Sequence, residues 1–358
     1  MKKNLQNALL LAMGLMTTVT FAQDWNVDSR TRIDMSDANG DGDAVKTTDQ
    51  RATLSATWGG SDWGIHVSSD LNYKLGVTDE FNMDIYEAYA STDLMGYANL
   101  TIGRQAINNG SGALMSSNDW GADRTTWDGM TFDLGLDMAD ISVGYASMNT
   151  GMGGDDDGNM WINASGEFSG WNVNMLYMTQ SGNTAYDAET GEGTPASENA
   201  ATGIDISGEV MGAGISASMN TDFNENTMRV IGVSYTVNDD MSVNVGQTVY
   251  AENDNETAFN MEGTNLAGGW ANGNMGYLGH GDEMLSYGLT YNMGGISMGA
   301  TMNAVTSLDD SKRDVMEISL GYSLNDNASL SVKYATDGND DDATEDAKYT
   351  WVTLNVGL

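Results

Sequence analysis

Oxygen-bearing side chains at alternate positions make residues 37–43, which read DANGDGD, a candidate cation site. The candidate ligands are Asp37, Asn39, Asp41 and Asp43. Such spacing, with a glycine for the bend, suits Ca²⁺. Thr48 stands where a complete EF-hand loop has its final glutamate. We therefore favour a solvated acidic loop, keep bound Ca²⁺ at acidic extracellular loops as the alternative, and expect no required cofactor.

The sequence offers few combinations of residues that could catalyse a reaction. The chain has no Cys, which excludes disulfides and thiolate metal sites. Its two histidines, His66 and His280, are far apart in the sequence, so a histidine-based metal site is not expected. No Ser/His/Asp combination stands out as a hydrolase site. We predict that the protein is not an enzyme.

Basic residues are scarce, with 14 Lys and Arg against 51 Asp and Glu and a formal net charge of −37. This balance disfavours nucleic acid as a partner and favours cations. Two of the basic residues, Arg104 and Arg124, bracket a Gly- and Asn-rich stretch between Ile102 and Met130. The role of these arginines depends on the elements that position them.

The N-terminus has the form of a secretory signal peptide. Residues 1–22 read MKKNLQNALLLAMGLMTTVTFA, with two lysines, a short apolar run and a small-x-small end. The apolar run is too short to span a membrane. We predict a signal peptide over residues 1–22 and one domain over residues 23–358.

After residue 23 the sequence alternates apolar and polar residues with the period of strands. In residues 241–250, for example, Met241, Val243 and Val245 fall on one face and Ser242 and Asn244 on the other. The polar faces are rich in Ser, Thr, Asn and Gly, as expected for a water-filled lumen. The chain keeps 9 Trp and 15 Tyr, which argues against disorder. A soluble sandwich of two sheets is the structural alternative.

Eighteen segments have this strand character. They are 24–35, 49–58, 63–75, 81–92, 97–106, 126–134, 139–148, 159–168, 170–181, 202–210, 212–220, 228–236, 241–251, 283–292, 296–304, 313–323, 328–335 and 347–358. Short turns alternate with mostly longer, acidic loops, and Trp58 and Trp63 bracket one short turn, as in an aromatic girdle. We predict an all-β fold, a transmembrane antiparallel β-barrel of about 18 strands in the outer membrane, with 16 as the alternative count.

Alternation also predicts which basic side chains point into the barrel. They are Arg30, Arg32, Arg51, Lys74, Arg313 and Lys333. The first and last strands meet when the sheet closes, so these residues gather on one part of the inner wall. Facing charges could line a constriction whose transverse field sorts ions. The alternative is that they only neutralise inward acids such as Asp28, Asp34 and Asp70.

Several spaced elements occur within residues 84–134: residues 86–89 (YEAY), 102–105 (IGRQ), 118–120 (NDW), Arg124 and 127–129 (WDG). In these elements the stretch resembles the alginate-export family of outer-membrane porins, including its relatives in Bacteroidetes. The resemblance implies a monomeric barrel of eighteen strands with Arg104 and Gln105 near the constriction.

Alternation along the strand instead places Arg104 on the same face as Leu100 and Ile102. A pore position for Arg104 therefore requires a bulge at Gly103. Without a bulge, Arg104 lies at the outer rim. We expect Glu87 to pair with Arg104, and the loop over residues 107–125 to fold near the pore with Arg124 returning toward the wall.

These observations predict a porin for passive diffusion of small hydrophilic solutes or ions that favours cations or neutral molecules. Two alternatives remain: a channel for an anionic, alginate-like oligosaccharide, and a plugged barrel with a structural or cation-binding role at the surface. The expected partners are the lipid of the outer membrane and small solutes or ions, with no nucleic acid. The protein is expected to be a monomer or a homotrimer.

Overall fold

The structure is a computed structural model and describes residues 22–37, 46–77, 81–121, 124–147, 158–181, 185–186, 193–194, 199–261, 264, 278–339 and 346–358. Eighteen strands form one antiparallel sheet. The sheet closes because β1 pairs with both β2 and β20, while β9 pairs with β12. The predicted barrel and its strand number are confirmed, and neither the sixteen-stranded barrel nor the soluble sandwich applies.

The strands follow the alternating segments to within a few residues at each end. They are β1 Ala22–Asp34, β2 Thr47–Gly59, β3 Trp63–Lys74, β4 Phe81–Asp93, β5 Asn99–Gln105, β6 Trp127–Gly135, β7 Asp140–Ser147, β8 Gly158–Phe168, β9 Trp171–Ser181, β10 Ala185–Tyr186, β11 Gly193–Thr194, β12 Asn199–Val210, β13 Ala213–Thr221, β14 Thr227–Asn238, β15 Met241–Tyr250, β16 Glu283–Met293, β17 Ile296–Thr306, β18 Lys312–Asn325, β19 Ala328–Asn339 and β20 Ala347–Gly357. The two-residue strands β10 and β11 pair only with each other, outside the barrel wall.

The outer face of the barrel is apolar. On β14, Ile231, Val233 and Tyr235 alternate with polar residues and are about half exposed, at 55%, 45% and 51%. Strand alternation thus turns the apolar side chains toward lipid rather than toward a second sheet. Trp25 and Trp58 make an edge-to-face contact with ring centroids 5.9 Å apart near the short turn 60–62, as expected for an aromatic girdle.

Short turns join the strands at one end of the barrel. The turn between β12 and β13 consists of Met211 and Gly212, both with positive φ, of 54° and 82°. Such two-residue turns match the twist of paired strands. Among the described residues, no helix is long and apolar enough to cross a membrane, a finding that does not concern strands.

One irregularity in the wall is a β-bulge in β4. Ser68 on β3 pairs with Glu87 and Ser69 pairs with Ile85, so Tyr86 is an extra residue. A bulge lets two successive side chains share one face. Tyr86 and Glu87 both point into the barrel, where they contact the loop that follows β5.

The predicted signal peptide stays a prediction, because residues 1–21 lie outside the described part of the chain. Ala22, the last residue of that segment, is the first residue of β1.

Candidate pore constriction

The chain leaves the barrel wall at the end of β5 and enters the lumen. We call residues 106–121 and 124–126 the inner loop. Its central residues are almost completely buried: Leu114 is 2% exposed, Met115 0% and Ser116 2%. Burial at this level inside a barrel requires contact with the inner wall on several sides. The prediction that this loop folds inward is confirmed.

Arginines of β1 and β2 hold one part of the inner loop by its backbone. Arg30 Nη1 donates to the carbonyl oxygen of Asp119 at 2.6 Å, and Arg30 Nη2 to that of Gly121 at 2.9 Å. Arg32 Nη1 donates to the carbonyl oxygen of Trp120 at 2.8 Å. Such charge-assisted bonds are about twice as strong as neutral ones. The arginines therefore fix this part of the loop against the wall.

Arg51, on β2, lies opposite Arg30 in the sheet and is 8% exposed. Its Nη1 donates to the carbonyl oxygens of Asp119 and Gly121 at 3.3 and 3.4 Å. The side chain of Trp120 lies under the Arg32 guanidinium at 3.7 Å and makes an edge-to-face contact with Trp351 at 5.4 Å. A cation over an aromatic face is favourable when it is shielded from water.

Arg124, at the end of the inner loop, forms a buried ion pair. Its Nη2 and Nε donate to the two oxygens of Asp70 at 2.6 and 2.9 Å. The side chains are 11% and 4% exposed. The Arg124 guanidinium also lies over the ring of Tyr86 at 3.3 Å. At the bulge in β4, Tyr86 and Glu87 share the inward face, which places the Tyr86 ring beside Arg124.

The other part of the inner loop contacts the opposite wall. The backbone N–H of Ser111 donates to Asp205 Oδ2 at 3.0 Å. A side chain on Gly110 would overlap Asp205, and one on Gly203 would lie 2.9 Å from Leu114. Asp205 and Gly203 lie on β12, which is nine strands from β1 in the ring of eighteen. The inner loop therefore crosses the lumen between opposite walls.

A second loop packs inside the barrel beside the inner loop. Phe259 and Leu278, from the connection after β15, are 1% and 0% exposed and join one apolar cluster with Met115 of the inner loop. The connection is fixed by polar contacts, such as the bond from the N–H of Asn253 to His280 Nε2 at 2.8 Å. These two loops fill part of the lumen at the long-loop end.

A cavity of about 640 Å³ lies beside the inner loop on the β7–β14 side; we call it the acidic chamber. Three of its lining residues are acids, namely Asp140, Glu167 and Asp205, and others carry hydroxyl groups. None of the described residues that line it is Lys or Arg. The acidic chamber therefore faces the arginine-rich wall of β1 and β2 across the inner loop.

Most of the predicted inward residues do point into the barrel. Lys333 pairs with Glu317 at 2.9 Å and lies 5.2 Å from the ring of Trp120. Arg313 pairs with Asp337 at 3.3 Å. Lys74, at the end of β3, is opposite Asp49, which is itself opposite Arg32. These basic residues thus gather on one wall, where Lys333 and Arg313 contact acids; that the wall lines an ion-sorting constriction stays a prediction.

The inward placement also holds for two residues beside the inner loop. Gln105 is 8% exposed and accepts a bond from Thr131. Glu87 accepts a bond from the N–H of Ala106 at 3.1 Å and lies 3.6 Å from His66 Nε2. Glu87 therefore holds the first residue of the inner loop.

The placement of Arg104 in the pore and its pairing with Glu87 are wrong. Arg104 lies on the outer face of β5 and forms a bidentate pair with Asp128 of β6, at 2.6 and 2.7 Å. The register contains no bulge at Gly103, so parity keeps Arg104 on the face of Ile102. The alternative of an outward Arg104 is the one that the structure supports.

Sequence reasoning missed Tyr86, Asp205 and Trp351 as contacts of the inner loop. Asp205 could have been found, since alternation in β12 places it inward between Ile204 and Ile206. Tyr86 could also have been found, since it alternates with the outward Met83 and Ile85; the bulge then keeps Glu87 on the same inward face.

The candidate Ca²⁺ ligands Asn39, Asp41 and Asp43 lie outside the described residues, and Asp37 forms an isolated bridge with Lys348. In the described part of the chain, no group of three or more acidic or histidine side chains could hold a metal ion. A Gly-x-Ser-x-Gly sequence at residues 295–299 lies in a hairpin turn and the start of β17, not in the strand-to-helix elbow of hydrolases.

Several solved structures have the same fold as this one. OccK9 (OpdG) of Pseudomonas aeruginosa aligns with a TM-score of 0.71 at 12% identity, over 94% of this chain and 98% of that one. OpdK of the same organism, solved with vanillate, gives 0.71 at 12%, over 95% and 100%. OccAB2 of Acinetobacter baumannii gives 0.70 at 15%, over 94% and 98%. At these identities the likeness shows the fold alone.

The sequence matches the family model of Gram-negative porins over residues 8–351, and a comparison with curated proteins gives no match. The resemblance to the alginate-export family is not supported, since the porin match includes the stretch on which it rested. Porins are channels of the outer membrane. The chain is therefore a member of the Gram-negative porin family and an outer-membrane protein.

Proposed function

We propose that this porin lets small hydrophilic solutes and ions diffuse passively and that it favours cations and neutral molecules over anions. The observation that carries the proposal is the contrast between the two sides of the inner loop. Arg30, Arg32 and Arg51 donate to loop carbonyls, and Arg124 is paired with Asp70. The protein itself thus accepts hydrogen bonds from these arginines, and Asp70 also balances the charge of Arg124.

The acidic chamber supports the same direction of selectivity. Glu167 is exposed to the lumen, and no described Lys or Arg lines the chamber. A cleft lined by one sign of charge between low-dielectric walls raises the local concentration of the opposite ion. Solutes that pass the inner loop on this side meet carboxylates and hydroxyls, which favours cations and neutral polar molecules.

Two other functions have specific support. The four arginines on one side favour passage of an anionic oligosaccharide if their remaining donors face the solute path. The apolar cluster formed by Met115, Phe259 and Leu278 inside the barrel favours a plugged structural barrel.

Liposome swelling separates these three functions. Vesicles that contain the refolded porin are diluted into neutral, cationic and anionic solutes of matched size. The proposal expects faster swelling with neutral and cationic solutes. Faster entry of the anion favours the arginine path, and no swelling from a folded barrel favours the plug.

A variant of the acidic chamber tests where the selectivity arises. Glu167→Gln should reduce the preference for the cationic solute because it removes one charge from the chamber. Asp309→Asn is the matched control, since Asp309 lies in the exposed turn between β17 and β18. Equal effects of the two substitutions would contradict a role for the chamber.

A further inference from the structure

Methionines stand in three of the short turns at one end of the barrel. Met95 lies in the turn between β4 and β5, Met138 between β6 and β7, and Met211 between β12 and β13. They are 92%, 70% and 100% exposed, more than any other methionine in the described part of the chain. We call these three residues the turn methionines. The short turns of outer-membrane barrels lie on the periplasmic side, so these sulfur atoms face periplasmic water.

The backbone at two of these positions does not favour methionine. Met95 and Met211 have positive φ, of 60° and 54°, and each precedes a glycine that also has positive φ. Asn-Gly is the preferred pair in turns of this kind, because Asn adopts the left-handed conformation more readily than most other residues. Ser169, before Gly170 in the turn between β8 and β9, has a similar φ of 54° with a polar side chain. Neither turn conformation nor burial accounts for Met here, which leaves the reactivity of sulfur as the property that Asn and Ser lack.

Methionines elsewhere in the barrel are shielded from water in two ways. Met160 and Met175 are 56% and 51% exposed, but they lie on the outer face, which is turned to lipid. Met115 and Met178 are 0% exposed and belong to the apolar cluster inside the barrel. An oxidant dissolved in water therefore meets the turn methionines first.

The effect of oxidation also differs between these places. Conversion of a thioether to a sulfoxide replaces an apolar group by a polar one. At Met115 the new oxygen would lie in the cluster that contains Phe259 and Leu278, where a polar group is costly to bury. At the turn methionines the oxygen is hydrated. The barrel therefore tolerates oxidation at the turns better than oxidation in the lumen.

We propose that the turn methionines are reversible oxidation sites, which consume oxidants at the periplasmic mouth before the methionines of the lumen react. The oxidants are of the class of hypochlorous acid. In the net reaction, the thioether, hypochlorous acid and no other reactant give the sulfoxide, a chloride ion and a proton, so the sulfur is oxidised and the chlorine is reduced. A methionine sulfoxide reductase then restores the thioether, while a pair of thiols is oxidised to a disulfide and water is released.

Mass spectrometry of peptides tests the order of reaction. Purified outer membranes that contain the full-length protein receive about one equivalent of hypochlorous acid per chain, and free methionine stops the reaction. The sulfoxide fraction at each turn methionine should be about tenfold higher than at Met175, the matched lipid-facing control. In the urea-unfolded chain the fractions should become equal, because the fold causes the difference. Equal fractions at Met175 and Met211 in the membrane, or a preference that persists after unfolding, would overturn the proposal.

Substitutions test whether the turn methionines protect the lumen. The first variant combines Met95→Asn, Met138→Ser and Met211→Asn. The matched control removes three lipid-facing sulfurs, with Met160→Leu, Met175→Leu and Met219→Leu. Since each thioether consumes one equivalent, sulfoxide at Met115 should appear at a dose about three equivalents per chain lower in the first variant, and at an unchanged dose in the control. The same dose for both variants would overturn the protective role.

Reversal is measured on the oxidised membranes. Methionine sulfoxide reductases for both sulfoxide epimers, supplied with dithiothreitol, should return the turn methionines to the thioether, because these side chains are accessible in the folded barrel. Sulfoxides that persist at Met95 and Met211 would overturn reversibility. Because liposome swelling reports solute passage separately, failure of this inference leaves the proposed function standing.

Discussion

The ion pair between Arg124 and Asp70 should determine how firmly the inner loop is held. Both side chains are buried, at 11% and 4% exposure, and are joined by two hydrogen bonds. After Arg124→Met, the Asp70 carboxylate still accepts from the Thr53 hydroxyl at 2.7 Å but has lost both bonds from the guanidinium. Removal of one partner of a buried pair costs about 3–5 kcal/mol. That cost falls on the closed position of the loop, because Arg124 belongs to the loop and Asp70 to the wall.

Hydrogen exchange measures the opening of the inner loop directly. The N–H of Thr125 is bonded to the Ser117 carbonyl at 2.7 Å, and the N–H of Asn109 to that of Met115 at 3.1 Å. In Arg124→Met, exchange of these amides should accelerate about 100-fold to several-thousand-fold, since every 1.4 kcal/mol is roughly a factor of ten. Arg313→Met is the control, because Arg313 and its partner Asp337 both lie on strands of the wall, β18 and β19, and neither belongs to the inner loop. Unchanged exchange in Arg124→Met would refute the anchoring role.

Two further substitutions test the fold and the constriction. Gly103→Ala should destabilise the barrel by about 1–3 kcal/mol more than Gly170→Ala in urea unfolding. Both glycines have positive φ, but only the new Cβ at Gly103 overlaps a neighbour, the carbonyl oxygen of Ala88; equal destabilisation would contradict this reasoning. Trp120→Ala should raise the single-channel conductance, because it removes a ring from the lumen while the backbone carbonyls still accept from Arg30 and Arg32. A conductance equal to that of the unaltered protein would show that Trp120 does not narrow the path.

Alternation was sufficient to predict the barrel wall. Each strand has one apolar and one polar face. The period of two therefore predicts where the strands lie and that Arg30, Arg51 and Lys333 point inward. Closure of the sheet then brought the first and last strands together, and this followed from the absence of open edges in lipid. The long loops gave no such periodic signal.

The contacts of the inner loop could not be predicted because they depend on tertiary packing. The bulge at Tyr86 changes the face of one residue without a glycine to mark it. The pairing of Arg104 with Asp128 depends on the register of β5 against β6, which alternation alone leaves undetermined. The resemblance of the IGRQ sequence implies a pore position for Arg104, but the unbroken register of β5 keeps Arg104 on the outer face with Ile102.

The most direct test of an open, cation-favouring channel is the reversal potential of the refolded porin in a planar bilayer under a salt gradient. Stable conductance steps with a potential of the sign for cation selectivity are the predicted result, since the described lining of the acidic chamber has three acids and no Lys or Arg. Anion selectivity, or the absence of steps from a demonstrably folded barrel, would contradict the account.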